Sequence, residues 1–333
     1  MCNYCRWEAI VTRDSHARDG KLTAALTAAK LYYMQDKTMD AIARELSTSR
    51  SSVSRLLSYA RTTGLVDIRV NSPFERVGML EQNIRDRFHI TAHVVPMPEI
   101  VSELERVERV ALTAGRLLSQ FIESNMIVGV AWGSTLSVVS RALVQKSTHD
   151  TTVVQLNGAG NTQSSGVEYS SDILQRFGHA FGAQVEQFPV PAFFDNPQTR
   201  EAMWQERSTK RVLHYQSKMD LAVFSLGSPA ADVPSRVYVG GYLSGEDYRS
   251  LREDEAIGDV ATVFFRADGS WKDIRLNARA TGPGLDRLRR VPRRVCIVSG
   301  AKKLASLRAA IAAGTITDVV LDESLARLLA EAA

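Results

Sequence analysis

Thr38 to Ala60 reads TMDAIARELSTSRSSVSRLLSYA, and two helical patterns meet in it across a turn of three hydroxyl residues. Thr38 stands at an N-cap position, where a short side-chain oxygen accepts from the backbone of the first turn. Met39, Ile42, Ala43 and Leu46 then recur at helical spacing, and Ala43 is small enough for another helix to cross close over it. Ser47-Thr48-Ser49 interrupts, because short hydroxyl side chains compete for backbone hydrogen bonds and favour turns and caps. In the helix that follows, Val53, Leu56, Leu57 and Ala60 form the inward stripe. Ser49, Arg50, Ser51, Ser52, Ser54 and Arg55 are left at its start and on its outward face. That is the layout of a helix-turn-helix that reads DNA. Side chains at the start of its second helix reach base edges in the major groove, Arg50 and Arg55 suit guanine or phosphate, and the serines suit either. The competing reading is an ordinary helical hairpin of a globular domain.

Outward from this segment, Leu22 to Met34 carries Leu22, Ala25, Leu26, Ala29, Leu31 and Tyr32 as the apolar side of a third helix. Gly64-Leu65-Val66-Asp67-Ile68-Arg69-Val70 follows as a turn and a strand, the pattern of a wing. Residues 20–70 are therefore expected to form a winged-helix-like DNA-binding domain whose partner is double-stranded operator DNA. Residues 1–75 hold eleven Lys and Arg against eight Asp and Glu, which leaves 30 basic against 29 acidic for the rest of the chain. The small positive excess thus sits beside the reader, as phosphate contact requires.

With 333 residues the chain has material for a second, larger core. Cys2, Cys5 and Cys296 are the only cysteines. Cys2 and Cys5 have C-x-x-C spacing, but no second pair completes a zinc site and His16 is the lone histidine of the first eighty residues, so no metal is expected and residues 1–19 are read as a disordered start. No apolar run approaches a membrane span, and Glu8, Asp14 and Asp19 stand where a signal peptide needs an uncharged core. The expectation is a cytoplasmic protein without a membrane partner.

Asn71-Ser72-Pro73 marks a boundary, since proline forces its predecessor away from helix. Residues 71–90 then read as a linker helix with Phe74, Val77, Leu80, Ile84 and Phe88 on one side, packing either on a twin in a dimer or on the chain's own second domain. Within 91–333 the pattern changes. Short apolar runs at His93–Pro96, Met126–Ala131, Thr152–Leu156, Asp220–Phe224, Arg294–Val298 and Thr317–Leu321 alternate with helical stretches. Such runs predict an α/β fold with a doubly wound, mostly parallel sheet, and ligands of such sheets bind beyond the carboxyl ends of the strands. Three turns stand there. Gly133-Ser134-Thr135 opens a helix whose free N–H groups suit an anion. Asn157-Gly158-Ala159-Gly160-Asn161-Thr162 is either a tight turn or a ligand contact. Ser299-Gly300-Ala301-Lys302-Lys303 offers lysines to an anion, and Asp259 offers a carboxylate either to hydroxyls of a ligand or to a turn.

These segments in this order resemble the SorC type of sugar-binding bacterial transcriptional regulators, the DeoR-like sugar-binding group. The likeness runs from about residue 22 to 330 and is carried by Ala41-Ile42-Ala43 with Ser51–Leu57, Gly129–Leu136, Phe188–Ala192, Asp220–Val223, Gly258-Asp259-Val260, Gly300–Lys303 and Leu321-Asp322-Glu323. The resemblance implies an effector domain with the fold of sugar-phosphate isomerases but without their catalysis, no cofactor, and a homo-oligomer, dimer or tetramer. It implies control of operator affinity by a small sugar, sugar phosphate or polyol. Carried over by position, Gly133, Ser134 and Thr135 would hold phosphate, Asn157 and Gly158 would line the pocket, Asp259 would meet hydroxyls, and Lys303 would pair with the anion. Ser134 stands where threonine is usual, and Ser299 where glycine is usual, so both Lys302 and Lys303 stay candidates. Asn157 replaces an arginine found in members with bisphosphate effectors, which implies a monophosphate or an unphosphorylated polyol. The alternative is a sugar-phosphate isomerase or deaminase with a fused DNA-binding arm. Such chemistry needs a histidine with a carboxylate partner, and His89, His93, His149, His179 and His214 show no such cluster after a strand.

Overall fold

A computed structural model describes residues 20–66, 73–98, 100–229, 231 and 235–331. The chain divides into two compact units, Met1–Ser72 and Pro73–Ala333.

In the first unit, α1 spans residues 20–29 and runs on into a π-helical turn at Lys30–Met34. Then follow α2 (Met39–Glu45) and α3 (Arg50–Thr62). Both expected caps form: Thr38 Oγ1 accepts from the Ala41 N–H at 3.3 Å and Ser49 Oγ from the Ser52 N–H at 3.1 Å. Ile42, Ala43, Val53, Leu57 and Ala60 close on Ala25, Ala28, Ala29 and Leu31 as one small core. The stripe of α1 differs from the pattern: Leu22 and Leu26 are 40 and 39% exposed, while Ala28 is buried. The side of α1 that meets the other helices is its alanine side, because small residues let the axes approach closely. The expected wing strand, Asp67–Val70, and the Cys2/Cys5 pair lie outside the described residues.

The second unit runs through α4 (Pro73–Phe88), β1 (Thr91–Val95), α5 (Glu103–Phe121), β2 (Ile127–Val130), α6 (Ser134–Arg141), β3 (Thr152–Gln155), α7 (Val167–Phe181) and β4 (Gln184–Glu186). It continues through α8 (Pro197–Met203), α9 (Arg207–Ser217), β5 (Leu221–Phe224), β6 (Leu226–Gly227), α10 (Arg236–Val239), α11 (Gly245–Glu253), β7 (Gly258–Val260) and β8 (Val263–Phe265). Last come α12 (Leu285–Leu288), β9 (Arg293–Val298), α13 (Leu304–Ala312), β10 (Asp318–Asp322) and α14 (Glu323–Glu331).

Seven strands form one sheet in the order β1-β10-β9-β5-β2-β3-β4, every pair parallel. Its strands read as unbroken apolar runs because both faces are covered: Val153, Val154, Ile297, Val298, Val319 and Val320 are all fully buried. One core packs α5, α6 and α7 on the sheet through residues such as Leu118, Leu136 and Phe177. The other joins α4, α9, α13 and α14 through Ile84, Val212, Leu307 and Leu325. The apolar stripe of α4 is thus spent on its own unit, with Val77, Leu80 and Phe88 beside Ile84. From β2 the chain winds outward through β3 to β4, then returns through β5, β9 and β10 in the other direction. The winding reverses between β2 and β5, and there the crevice for a ligand opens.

β6, β7 and β8 form a separate antiparallel sheet. Gly258-Asp259 is therefore strand rather than the turn before one. The hairpin turn is Ala261-Thr262, both at positive φ (46° and 71°), the backbone a two-residue hairpin demands. Asp259 Oδ2 pins it by accepting from the Thr262 N–H at 3.1 Å.

Candidate functional site

Beyond β2 the chain turns at Gly133, whose φ of +152° favours glycine, and enters α6 with no side chain capping the first N–H groups. Ser134 and Thr135 occupy that first turn. Two strands away, β9 ends at Val298, and after Ser299 the chain turns at Gly300, with φ +92°, before Lys302 and Lys303. Gly300 is held from behind, since its N–H donates to Asp322 Oδ2 at 2.7 Å. Asp322, fully buried at the end of β10, also accepts from Arg106 Nη1 at 3.0 Å and from the Leu325 N–H at 3.1 Å. Between these two strand ends lies a cavity of about 160 Å³, lined by Ser134, Thr135 and Val138 of α6, by Ser299, Gly300, Lys302 and Lys303, by Glu103, Leu104 and Val107 of α5, and by Ala231.

Lys303 links this cavity to a buried charge. Its Nζ donates to the Leu226 carbonyl at 3.0 Å. Burial loosens its proton, with Cys296 and Asp259 acting the other way. Burial in turn pushes the Asp259 carboxyl up to about 6, against the Thr262 N–H, Lys303 and Tyr238, which favour its charged form. The Tyr238 hydroxyl, itself raised by burial and then by Asp259, lies beside the carboxylate without reaching its buried, unpartnered Oδ1 in a hydrogen bond. Gly227 makes room for that oxygen, because a Cβ there would stand 1.8 Å from it.

Of the residues expected from sequence, Ser134, Thr135 and Lys303 converge on the cavity, together with Lys302, and Gly133 sets the turn that aims α6 at it. Asp259 stands behind Lys303 and serves its hairpin turn as well. Asn157 and Gly158 are not among the lining residues. Asn157 is 1% exposed with Oδ1 unpartnered, and its carbonyl accepts from Trp132 Nε1 and Gln155 Nε2. The Gly158 N–H donates to Thr281 Oγ1 at 3.0 Å, and a Cβ there would lie 2.2 and 2.3 Å from the carbonyl oxygens of Pro191 and Val190. The α5 residues Glu103, Leu104 and Val107 were not foreseen, since only the crossing of α5 over the strand ends brings them there. Asp322 had a sequence signal in Leu321-Asp322-Glu323.

On the first unit, Ser51, Ser54, Arg50 and Arg55 are exposed on α3. Arg50 lies 3.8 Å from Asp40, an exposed pair that costs little to exchange for phosphate, and Arg55 Nη2 donates to Ser52 Oγ at 3.4 Å. Ser49 is engaged as the cap, with its Oγ also 2.8 and 2.9 Å from the hydroxyls of Ser51 and Ser52. Two histidines have carboxylates nearby, neither after a strand: His93 is 3.8 Å from Asp318 and His149 is 3.5 Å from Asp150. Asp318 opens β10, so the first pair belongs to the opposite end of the sheet from the cavity, and the second is exposed. No described histidine lines the cavity, and no described group of three or more His, Cys, Asp or Glu is arranged to hold a metal. Among the described residues no helix is long and apolar enough to cross a membrane.

A helix-turn-helix unit followed in one chain by a doubly wound unit with a basic, hydroxyl-lined cavity at its switch point defines a transcriptional regulator with a small-molecule domain. The family model described as "Putative sugar-binding domain" matches residues 72–331, and the chain belongs to the SorC/DeoR-type family of sugar-binding transcriptional regulators. It is 30% identical over 312 residues to the deoxyribonucleoside regulator of Bacillus subtilis (strain 168), covering 93% of this chain and 97% of that one. A solved domain of a "possible sugar-binding transcriptional regulator" from Arthrobacter aurescens TC1 shares 52% identity with a TM-score of 0.73, over 78% of this chain and all of that one. The full-length sorbitol operon regulator SorC from Klebsiella pneumoniae shares the fold with a TM-score of 0.71 at 24% identity, over 93% of this chain and 99% of that one.

Proposed function

We propose that this regulator controls genes of carbohydrate or polyol use, and that a small sugar monophosphate or polyol in the cavity between Thr135 and Lys303 sets its affinity for operator DNA. The observation that carries the reading is that cavity: an uncapped helix start and two lysines face one another across a space of about 160 Å³. Anionic oxygens suit the free N–H groups and the ammonium, and a site of this size suits a metabolite rather than a macromolecule. Relatives named for deoxyribonucleosides and for the sorbitol operon support an effector in the same chemical range. Relatives named as regulators support binding without turnover.

The ligand acts by population shift, stabilising whichever arrangement of the readers gives it the tighter site. A two-fold operator read by paired copies of α3 would double the contact area, so a homodimer or tetramer in the cytoplasm is the working form. A thermal-shift screen of sugar phosphates and polyols tests the site, because a ligand of the native state raises apparent stability. Thr135→Ala and Lys303→Ala should remove the response of DNA binding to the hit compound while operator affinity persists. A normal response in both variants would sink the assignment, and conversion of the compound by purified protein would replace it with an enzymatic reading.

A further inference from the structure

A second cavity, of about 260 Å³, lies between α8, α9 and the turn Thr281–Gly284, and shares no lining residue with the first. We infer that it is a binding site for a small anion that also carries a hydroxyl, such as a hydroxy acid or a phosphate monoester. Two guanidiniums meet there. Arg200 stacks over the Trp204 ring, 4.9 Å from its centroid, and its Nε is sealed from solvent without a partner. Its Nη1 has only a long contact, 3.5 Å, to the Ala278 carbonyl. Arg287 of α12 lines the same space, and among the described residues no carboxylate comes within ion-pair distance of either arginine. Asp286 is the single acid in the lining. Glu201 acts on Arg200 and Asp286 shares the lining, but neither forms an ion pair with the two guanidiniums, whose forks match carboxylate or phosphate oxygens.

Gln216 supplies the other half. It is 1% exposed, and its Nε2 donates to the carbonyls of Gln155 at 2.8 Å and Leu156 at 3.1 Å. Those two bonds fix which end of the amide is which, so the oxygen is the end left over, buried with no donor. A buried acceptor without a donor is unfavourable, and a ligand hydroxyl removes the penalty. Thr281 does not compete, since its Oγ1 already accepts from the Gly158 N–H and donates to the Ala192 carbonyl. At Gly284 a Cβ would meet nothing within 4 Å, so the turn leaves room. An adjoining groove of about 460 Å³, which shares Leu213, Gln216 and Arg287 and adds His214 and Arg290, extends the basic lining outward.

The test uses full-length Lys303→Ala protein, whose altered residue lies outside this cavity, and follows thermal stability against inorganic phosphate and glycerol 3-phosphate. Both ligands should still stabilise it, with glycerol 3-phosphate binding more tightly because its hydroxyls reach Gln216. Adding Arg287→Gln, at an exposed position, or Arg200→Lys, which keeps the charge but loses the Nε donor, should weaken both by roughly tenfold or more. Loss of all phosphate response in Lys303→Ala alone, or an unchanged response after both arginine substitutions, would overturn the site. Equal affinity for the two ligands would overturn the hydroxyl contact. The outcome is independent of the effector cavity, which can fail its own test with this one intact.

Discussion

Asp259→Asn should make the protein less sensitive to neutral pH, and the size of the change follows from where the carboxyl sits. Burial beside Gly227 holds it at about 6, against 3.8 in the unfolded chain. The folded state therefore grips the proton more tightly than the unfolded state. The stability this confers is complete below about pH 4 and is lost as pH rises through 6. A displacement of about two pH units corresponds to about 3 kcal/mol at ~1.36 kcal/mol per unit. Asparagine keeps the shape and an acceptor for the Thr262 N–H but never ionises, and Lys303 is common to both proteins. Urea or thermal midpoints taken from about pH 4 to about pH 7 should show the wild type losing about 3 kcal/mol relative to the variant, on the order of 6 °C in Tm for a unit of this size. Most of that change falls between the two pKa values. Two curves that run parallel across the window would show that the carboxyl titrates normally and that its burial has been misjudged.

Arg50→Ala and Arg55→Ala should each weaken operator binding by about 1–3 kcal/mol in a gel-shift titration, with the ligand response of the second unit unchanged. Ser49→Ala should lower the stability of the first unit by about 1 kcal/mol in denaturant melts, because its oxygen caps α3. Gly158→Ala should cost about 3 kcal/mol, as the new methyl collides with the backbone carbonyls of Val190 and Pro191 rather than with a movable side chain. Phe264→Ala, at a fully buried ring that packs on Phe193 and Tyr238, should cost about 3–5 kcal/mol by leaving a cavity.

Much of the fold was legible because its signals are local. The caps at Thr38 and Ser49 are set by side chains acting on their own first turns. The long strands of the sheet were visible as apolar runs, since burial on both faces leaves no alternation to confuse with a helix. Short strands were not: β4 is an edge of three residues, and β6 and β7 hold glycine and aspartate, which local preference assigns to turns. The apolar side of α1 was misread at Leu22 and Leu26 because periodicity reports a side's polarity and cannot weigh how closely alanines let neighbours approach.

Among the site residues the same division holds. Gly133-Ser134-Thr135 and Lys303 were identifiable because glycine turns, hydroxyls and lysines after apolar runs mark strand ends in any doubly wound sheet. That Lys303 reaches the Leu226 carbonyl within the field of Asp259, that Asp322 holds Gly300, and that Gly158 is shut against Val190 and Pro191 required the strand order. The residues involved are separated by tens of positions along the chain, so their distances are set by which strands pair and not by local preference. Residue chemistry and spacing thus determined what kind of molecule this chain is and which groups it can bring to an anion. The pairing of strands settled which of those groups share a cavity, because parallel pairing alone decides which loops emerge side by side.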